Sequence, residues 1–485
     1  MRWQNGEVAK LLGIDVGTTS TKAILIDEHG RVLDSHSVSY PIARPLPGWS
    51  EQDPEDWARA AQECVERMEG LGVDAIGLTG QMHGATVLDL DGKVLRPAIL
   101  WNDQRTVEES AEIERLVGRQ RVLDITCNPP LTGFQAPKLL WMRHHEPEIF
   151  KKIAHVLLPK DFVRFRLTDS LSADCSDASG TALFDVQKRR WSEDILGELE
   201  IPAKWLPSVG ESWEIESKTH TGIPVVRGAG DQAAAAVGTG AVVGGLASIS
   251  LGTSGVVFAS QDAPDYDPDG RTHTFCHANG AWHSMGVTLA CGGAVQWLKD
   301  TFYADSSFNA MEQEIAASSV GANGVTFLPY LGGERCPKND PYLRAHFGGM
   351  SSSTQRGDLA RAVFEGTAFG LRDALEVIEA LCGVPNIIRV TGGGAKSDLW
   401  LQIVADVLGH RIELTECDEG PALGAALLAG TGIGIWPDVR TACESTVRIR
   451  RSVEPSGSSY EEAFHRYQEL GSAVKDWGPG HARGG

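Results

Sequence analysis

A glycine- and threonine-rich turn near the start of the chain carries the first residues whose types could do chemistry. In residues 11–26, LLGIDVGTTSTKAILI, an apolar run enters the turn and an alternating run leaves it, which predicts a β-hairpin. The hydroxyls of Thr18 and Thr19 would donate to a bound phosphate. Asp15 would repel a bare phosphate, so its place here indicates a metal ion that accompanies one. An ordinary glycine-turned hairpin with a solvated Asp accounts for this stretch equally well.

A second turn of the same kind follows in the other half of the chain. In residues 249–258, ISLGTSGVVF, an apolar strand again meets a Gly-Thr turn and leaves as an apolar strand. Two such units indicate two related halves that face each other. This plan resembles the actin-like ATPase fold, an α/β class in which a nucleotide lies in the cleft between two ribonuclease-H-like domains. One hairpin would then hold the phosphates from each side.

Asp231 lies in a GAGDQA segment, residues 228–233, at the end of a short predicted strand. The segment matches the GxGxxA pattern of a dinucleotide site. That pattern also needs an acidic residue about 20 positions later, and none occurs between Gln232 and Gln261. Asp231 is therefore either the N-cap of a helix over residues 232–237 or a carboxylate base. The two roles are compatible, because a helix N-terminus favours the ionised form.

Two polar loops at predicted strand ends could bind a hydroxylated ligand. Met82 and His83 follow an apolar strand over residues 73–78, at the carboxyl end where ligands of α/β sheets gather. Trp101 and Asp103 belong to the second loop, in which the indole offers a flat apolar face and the carboxylate offers directional hydrogen bonds. A Met-His pair is also common in packed cores, so the first loop alone does not decide the matter.

Three glycines in residues 392–397, GGGAKS, join a predicted strand to a helix. They allow flat, close contact with an adenine or a ribose, although a loose turn has the same composition. The pattern also predicts helices over residues 286–297 and 358–377. Residues 420–426 are small, which predicts a helix that packs closely against its neighbours.

The composition argues against several classes of function. The 485 residues are 42% hydrophobic, with a mean hydropathy of −0.16 and a net charge of −20. These values predict a globular protein whose main partner is neither nucleic acid nor an anionic membrane. The nine cysteines form no CxxC pair, which indicates free thiols in the cytoplasm. Residues 232–260 are uncharged but interrupted by glycines, so we predict a buried helix and core strands there rather than a membrane span.

The motifs together resemble the FGGY family of carbohydrate kinases over about residues 11–470. The segments that carry the resemblance, in family order, are GIDVGTTSTK, WNDQR, GFQAPKLLW, GAGDQ, SLGTSG, HFGGM through FEG, and GGGAKS. The resemblance implies two ribonuclease-H-like (actin-like ATPase) domains around a central nucleotide and sugar cleft. The implied divisions are an N-terminal extension at 1–10, a sugar-binding domain at 11–245, a nucleotide-binding domain at 246–448, and a tail with a terminal helix at 449–485.

The resemblance also implies roles for particular residues. Asp231 matches the family's general base, which takes the proton from the terminal hydroxyl of the sugar. Asp15 and Asp231 would hold Mg²⁺, partly through water. The predicted sugar contacts are Met82, His83, Trp101, Asp103, Asp231 and Gln232. The predicted contacts to ATP, the co-substrate, are Thr18, Thr19, Lys22, Gly252, Thr253, Gly393, Gly394, Ala395 and Ser397.

Within the family, the segments WSEQDPEDW, QMHGATVLD and FLPYLGGER are most similar to members that phosphorylate D-xylulose to D-xylulose 5-phosphate. Many of those members have Asn in place of Gln232 and Thr in place of Cys336. The open alternatives are a family kinase for another ketose or polyol, such as ribulose, and an actin-like ATPase module without a sugar substrate. We expect the domains to close about a hinge near residues 244–250, in a cytoplasmic enzyme that the resemblance indicates is a homodimer.

Overall fold

The computed structural model describes residues 8–477, and the first half of this range is built on one β-sheet with its helices. The strands of the first half are β1 (Lys10–Val16), β2 (Ser20–Asp27), β3 (Val32–Ser39), β4 (Glu51–Gln52), β5 (Ala75–Gly80), β6 (Thr86–Leu88), β7 (Ala98–Ile99), β8 (His155–Leu157), β9 (Ser172–Asp174), β10 (Phe184–Asp185), β11 (Arg190–Trp191), β12 (Ser208–Gly210), β13 (Ile215–Lys218), β14 (Pro224–Val226) and β15 (Ala229–Gly230). Its helices are α1 (Pro54–Glu69), α2 (Val107–Val117), α3 (Arg119–Thr126), α4 (Gln135–His145), α5 (Pro147–Phe150), α6 (Pro159–Thr168), α7 (Cys175–Ala178), α8 (Glu193–Glu198) and α9 (Asp231–Thr239).

The second half of the chain builds a separate sheet. Its strands are β16 (Leu246–Leu251), β17 (Gly255–Gln261), β18 (His273–Cys276), β19 (Trp282–Thr288), β20 (Thr326–Leu328), β21 (His346–Gly348), β22 (Ile387–Thr391), β23 (Ile412–Thr415) and β24 (Ile449–Val453). Its helices are α10 (Gly292–Phe302), α11 (Phe308–Ala317), α12 (Arg356–Cys382), α13 (Asp398–Leu408), α14 (Gly420–Gly432), α15 (Val439–Thr446) and α16 (Glu461–Ala473).

Each half is organised around a seven-stranded mixed sheet. The first sheet has the strand order β13-β14-β5-β1-β2-β3, with β15 also pairing with β5, and the second has the order β18-β19-β17-β16-β22-β23-β24. Both contain a predicted hairpin closed by a Gly-Thr turn, because β1 pairs antiparallel with β2 and β16 pairs antiparallel with β17. The predicted α/β class with two halves is therefore confirmed.

The alternation of the first hairpin places apolar side chains on both faces of the first sheet. Leu12 and Leu25 pack in the core that includes α1, while Ile24 and Ile26 face the core formed with α9 and α14. The helix α1 begins directly after Asp53, whose carboxylate caps the helix by accepting a hydrogen bond from the backbone two residues later. This is the start that the Asp-Pro pair predicts.

The helix α14 comes late in the chain but packs on the first sheet, beside α9. Small residues let the backbones approach closely: a Cβ on Gly13 would lie 1.9 Å from the carbonyl oxygen of Ala422. A Cβ on Gly77 would lie 1.8 Å from the carbonyl oxygen of Ala425. The close packing predicted for residues 420–426 is therefore confirmed, and this helix ties the end of the chain to the first half.

We predict that Gly77→Ala will lower the free energy of unfolding by about 3 kcal/mol or more, because the new methyl group would overlap the backbone of α14. Gly70→Ala is the matched control, since its φ of −61° suits any residue and its Cβ would meet nothing within 4 Å. We expect the control to stay within about 0.5 kcal/mol of the wild type in urea unfolding. Equal stability of the two variants would contradict the packing described here.

The second sheet contains a strand where the sequence predicted a helix. Residues 282–288 form β19 and α10 begins only at Gly292, so the helix predicted over residues 286–297 is wrong in its first part. Because β19 pairs with both β17 and β18, sheet pairing outweighs the local pattern. The long helix α12 contains the predicted helix 358–377 and packs on β17 and β19.

Several expectations from composition concern features of the whole chain. All nine cysteines are unpaired. The uncharged residues 232–260 form α9, β16 and most of β17, as predicted. In the part of the chain that the structure describes, no helix combines the length and the apolar character needed to cross a membrane. Residues 1–7 of the predicted extension and residues 478–485 of the predicted tail lie outside the described range.

Candidate active site

Two carboxylates, Asp15 and Asp231, meet where strands of the first sheet end. Asp15 lies near the end of β1, and Asp231 directly follows Gly230, the last residue of β15. Both strands run parallel to β5, so the two carboxylates lie at the same edge of the sheet. Asp231 is the first residue of α9, whose N-cap is Gly230 and which has no capping side chain. The prediction of Asp231 as the N-cap is therefore wrong, and its carboxylate is not consumed by capping.

Burial raises the pKa of both carboxyl groups, and repulsion from neighbouring carboxylates adds to the rise at Asp15. The pKa of Asp15 rises to about 7, first through burial and then through the charges of Asp231 and Glu419, while Lys22 lowers it. The pKa of Asp231 rises to about 6 through burial, against hydrogen bonds from Gln232. A cation between the carboxylates would relieve this repulsion.

The carboxylate pair fits a bound Mg²⁺. Oδ1 of Asp15 is buried without a hydrogen-bond partner, and a cation would satisfy such an oxygen. Within residues 8–477, no three His, Cys, Asp or Glu side chains gather into a metal cage. Mg²⁺ commonly takes one or two carboxylates and completes its shell with water and substrate phosphates. Asp15 and Asp231 are therefore a sufficient protein contribution.

The first Gly-Thr turn is braced by residues that the sequence analysis did not single out. The Tyr40 hydroxyl donates to the carbonyl of Gly17 at 2.6 Å, and Nε2 of Gln52 donates to the carbonyl of Thr18 at 2.7 Å. Gln52 is itself fixed by Nε1 of Trp57, which donates to its Oε1 at 3.0 Å. Gln52 and Trp57 belong to the WSEQDPEDW segment, which the sequence analysis noted only for its family resemblance. Because this segment is far from the turn in sequence, its contacts to the turn could not be predicted.

The three predicted nucleotide contacts of the first hairpin differ in their surroundings. The Thr18 hydroxyl accepts a hydrogen bond from Nε1 of Trp101 at 3.1 Å, whereas the Thr19 side chain is exposed. Lys22 forms an ion pair with Glu419, the residue just before α14. This pair links the first hairpin to the second half of the chain, beside the carboxylates of the site.

A cavity of about 1080 Å³ brings the second Gly-Thr turn next to the glycine-rich loop. The predicted nucleotide contacts that line it are Gly252, Thr253, Gly393, Gly394 and Ser397. Ala395 belongs to the same loop but does not line the cavity. The start of α10 closes one side, where the backbone N–H of Gly292 donates to the carbonyl of Gly252 at 2.7 Å.

Aromatic and polar side chains complete this cavity, and the sequence analysis missed them. Trp297, Phe308 and Trp400 supply apolar surface, and Asn309 and Glu312 supply hydrogen-bonding groups. Glu312 accepts a hydrogen bond from the Ser397 hydroxyl, which also caps α13. Flat apolar walls with a few polar groups are typical of a site for a nucleotide base and sugar. The spacing of these residues in the sequence does not indicate that they line one cavity.

The Met82-His83 loop places a neutral imidazole at the end of β5. Nδ1 of His83 lies 2.6 Å from the carbonyl of Gly180, and its ring stacks on Phe134 at 4.7 Å. Because a carbonyl only accepts, the proton is on Nδ1, which leaves Nε2 as an acceptor. Burial lowers the pKa of His83 to about 3, so the ring stays neutral. Met82 is buried beside Gly180 and Gly230.

The remaining predicted sugar contacts have unequal access to a ligand. Trp101 is 37% exposed, and Gln232 lines a cavity of about 200 Å³ between α9 and the second sheet. Asp103 is fully buried, with both carboxylate oxygens engaged by Arg105 and by the backbone N–H of Ser50. Asp103 therefore holds its own loop in place, and the prediction that it contacts the sugar is corrected.

A buried charge cluster supports the backbone behind Asp231. The Lys160 ammonium lies 2.6 Å from Asp161, 2.7 Å from Asp174 and 3.2 Å from Asp177, and none of these side chains is exposed. Burial lowers the pKa of Lys160, but the three carboxylates outweigh it and raise that pKa above its ordinary value. Asp174 accepts from the Ser176 hydroxyl, which accepts from the backbone N–H of the residue before Asp231.

Buried histidines join the second sheet to the first half. His273 stacks on Phe275 at 5.5 Å, and Phe275 lies 6.1 Å from the ring of His83. His277 directly follows β18 and His283 lies on β19, and burial lowers the pKa of all three histidines. The second sheet therefore contributes a wall to the pocket around the Met82-His83 loop.

We predict that His277 makes the protein less stable in acid. Burial lowers its pKa to about 4, so the folded state takes up fewer protons than the unfolded state below pH 6.5 or so. Its contribution to stability is complete above that pH and is lost as the pH falls towards 4. The loss amounts to about 2 kcal/mol at pH 5. Urea unfolding at pH 7 and pH 5 should show a correspondingly smaller acid effect in His277→Asn, and an unchanged effect would contradict this prediction.

Family models and curated relatives agree on what this chain resembles. The N-terminal domain of the FGGY family of carbohydrate kinases matches residues 10–238, and the C-terminal domain matches residues 247–433. The xylulose kinase of Bacillus subtilis is 37% identical over 487 residues, covering 96% of this chain and 97% of that protein. The xylulose kinase of Escherichia coli is 42% identical over 442 residues, covering 86% and 89%.

Solved structures share the same architecture. A xyloylose kinase from Brucella ovis superposes with a TM-score of 0.91 at 37% identity, over 96% of this chain and 100% of that one. A ligand-bound xylulose kinase from Lactobacillus acidophilus superposes with a TM-score of 0.92 at 26% identity, over 96% and 98%. The predicted two-domain fold of the actin-like ATPase class is thereby confirmed. The chain belongs to the FGGY family of carbohydrate kinases.

Proposed function

We propose that the protein transfers the γ-phosphoryl group of ATP to D-xylulose and releases D-xylulose 5-phosphate. Kinases of this family use ATP as co-substrate, and the relatives matched over most of the chain are xylulose kinases. The observation that carries the proposal is the position of Asp231. Its carboxylate starts α9 without capping it and has no ion-pair partner among residues 8–477. Asp231 lies beside Asp15. The residue before it, Gly230, lies against the side chain of Met82.

The first half would hold the sugar, in a domain that we place at residues 11–245. Asp231 would accept the proton of the terminal hydroxyl as that oxygen attacks the phosphorus. His83 would accept a hydrogen bond from another hydroxyl through Nε2, and Trp101 and Gln232 would contact the remainder of the sugar. A neutral polyol needs such directional contacts rather than countercharges.

The second half would hold ATP, in a domain that we place at residues 246–448. The cavity beside Gly252 and Thr253 would accommodate the adenosine, and the Gly-Thr turns would face the phosphates together with Thr18, Thr19 and Lys22. Bound Mg²⁺ would be held by Asp15 and, partly through water, by Asp231, and it would offset the phosphate charge. Closure about residues 244–250 would exclude water from the reacting groups.

The substrate is tested by ATP turnover with Mg²⁺ across D-xylulose, L-xylulose, D-ribulose, L-ribulose, glycerol and no sugar. We expect D-xylulose to give the highest kcat/KM and turnover without sugar to be negligible. A higher value for another sugar would assign the protein to that ketose or polyol. Turnover that is indifferent to every sugar would indicate an ATPase module instead.

The metal assignment is tested by Asp15→Asn. Because the amide keeps the shape but loses the charge of the orphaned oxygen, we expect the half-saturating Mg²⁺ concentration to rise by about 10-fold or more. Asp262→Asn changes an exposed carboxylate and is the matched control. An Mg²⁺ requirement that is equal in the two variants would rule out Asp15 as a metal ligand.

A further inference from the structure

Arg335, in the loop between β20 and β21, has a guanidinium group for which residues 8–477 supply no partner. Among residues 8–477, no carboxylate or other acceptor lies within ion-pair or hydrogen-bond distance of its side-chain nitrogens. The side chain is nevertheless half-buried. A charge that protein surrounds without pairing is costly, so a group of this kind is normally retained for a ligand.

The loop that carries Arg335 is firmly attached to the second sheet. Oε1 of Glu334 accepts hydrogen bonds from the backbone N–H groups of Leu289 and Arg335, each at 2.8 Å. The backbone N–H of Cys336 donates to the carbonyl of Val287 at 2.9 Å. Oε1 of the adjacent Glu334 is thus occupied by backbone groups, whereas its Oε2 has no hydrogen-bond partner within residues 8–477. These contacts set the position of the loop before any ligand binds.

Arg335 faces the sugar loop from the opposite half. Val287, whose carbonyl holds the backbone N–H of Cys336, packs against the buried cluster that contains Met82, Phe134 and Phe275. The charge of Arg335 also lowers the pKa of His83 and of His273. Arg335 therefore follows directly on a strand contact with the cluster that packs around the Met82-His83 loop.

The chemistry of the two groups is complementary. Nε2 of His83 can only accept a hydrogen bond, because Nδ1 carries the proton, whereas a guanidinium can only donate. A hydroxy-ketone presents both a hydroxyl that can donate and a carbonyl oxygen that can only accept. We propose that Arg335 is a substrate-binding residue that donates hydrogen bonds to the ketose oxygens at the end held by His83. This inference rests on the proposed function.

The test compares Arg335→Gln and Arg335→Lys with Arg344→Gln. Arg344 lies in the same loop, but its guanidinium donates to the carbonyls of Pro341 and Leu343. D-xylulose affinity is measured calorimetrically without nucleotide, and KM is measured for both substrates. For Arg335→Gln, we expect the Kd and KM of D-xylulose to rise about 10–100-fold while the KM of ATP stays within about 2-fold. Arg335→Lys should retain part of the affinity, and Arg344→Gln should match the wild type.

Each other outcome is decisive. Unchanged D-xylulose affinity in Arg335→Gln, or a lower kcat at unchanged affinity, would remove Arg335 from the sugar site. Parallel losses of D-xylulose and ATP affinity would indicate a structural role and also overturn the proposal. If the wild type itself neither binds nor phosphorylates D-xylulose, the proposed function fails, and the substrate assigned to Arg335 fails with it.

Discussion

Asp231→Asn is expected to lower kcat with D-xylulose by about 10²–10⁴-fold while the KM of ATP changes by no more than about 2-fold. The amide has nearly the same size and shape as the carboxylate but cannot take the proton of the attacking hydroxyl. The backbone around the residue should be unaffected, since the side chain neither caps α9 nor forms an ion pair in the described chain. Steady-state kinetics in both substrates, with ATP binding measured separately, would separate the chemical step from binding.

The control for this experiment is Asp262→Asn, which removes the same charge from an exposed position. We expect it to retain wild-type kinetics. If Asp231→Asn kept more than about a tenth of the wild-type kcat, proton removal by Asp231 would contribute too little for the role of general base. If the affinity for ATP fell together with kcat, Asp231 would act mainly through the metal and its phosphates.

Lys160→Met is expected to lower the free energy of unfolding by about 3–5 kcal/mol. The substitution removes the ammonium group that contacts Asp161, Asp174 and Asp177, all of which are fully buried, and leaves only the Arg164 guanidinium beside Asp161 among residues 8–477. Burial already raises the pKa of Asp177 well above its ordinary value. The charged form of Asp177 is therefore costly even with the ammonium present, and its repulsion from Asp161 and Asp174 would be stronger without it. Chemical denaturation at neutral pH would measure the loss.

Lys188→Met is the matched control, because Lys188 also forms an ion pair with an aspartate at 2.7 Å but is 61% exposed. We expect a change within about 1 kcal/mol for this variant. A small effect in both variants would show that the buried cluster adds nothing to stability. Reduced kcat in Lys160→Met at a temperature where it is folded would link the cluster to Asp231, through Asp174 and Ser176.

Local patterns predicted those elements whose conformation depends on near neighbours in sequence. Three elements form as their residue patterns predict: the first hairpin, the start of α1 after Asp53, and the second Gly-Thr hairpin. Period-two alternation and capping act over a few residues, so the chain alone specifies them. The helix predicted over residues 286–297 was wrong in its first part for the opposite reason: residues 286–288 belong to β19, which forms because strands on both sides pair with it.

Polar residues were harder to assign, because their roles depend on partners elsewhere in the chain. Asp103 is of a residue type that often binds sugars, but both of its carboxylate oxygens accept hydrogen bonds from Arg105 or from the backbone of Ser50. Asp231 resembles an N-cap in sequence, but Gly230 is the N-cap, and the Asp231 carboxylate accepts hydrogen bonds from Gln232 without forming an ion pair among residues 8–477. In each case, the sequence shows which functional group is present, and the tertiary structure determines which other residues of the chain bind to it.

The sequence by itself determined the α/β class, the two related halves, the family resemblance and the main candidates for chemistry, because these depend on residue order and short-range pattern. Only the tertiary structure decided which of those groups meet. It placed α14 on the first sheet, paired Lys22 with Glu419, and attached the loop of Arg335 to Val287, beside the cluster that packs around the Met82-His83 loop. Contacts of this kind join residues far apart in the chain, and they arise from how whole sheets and helices pack, which no local spacing encodes.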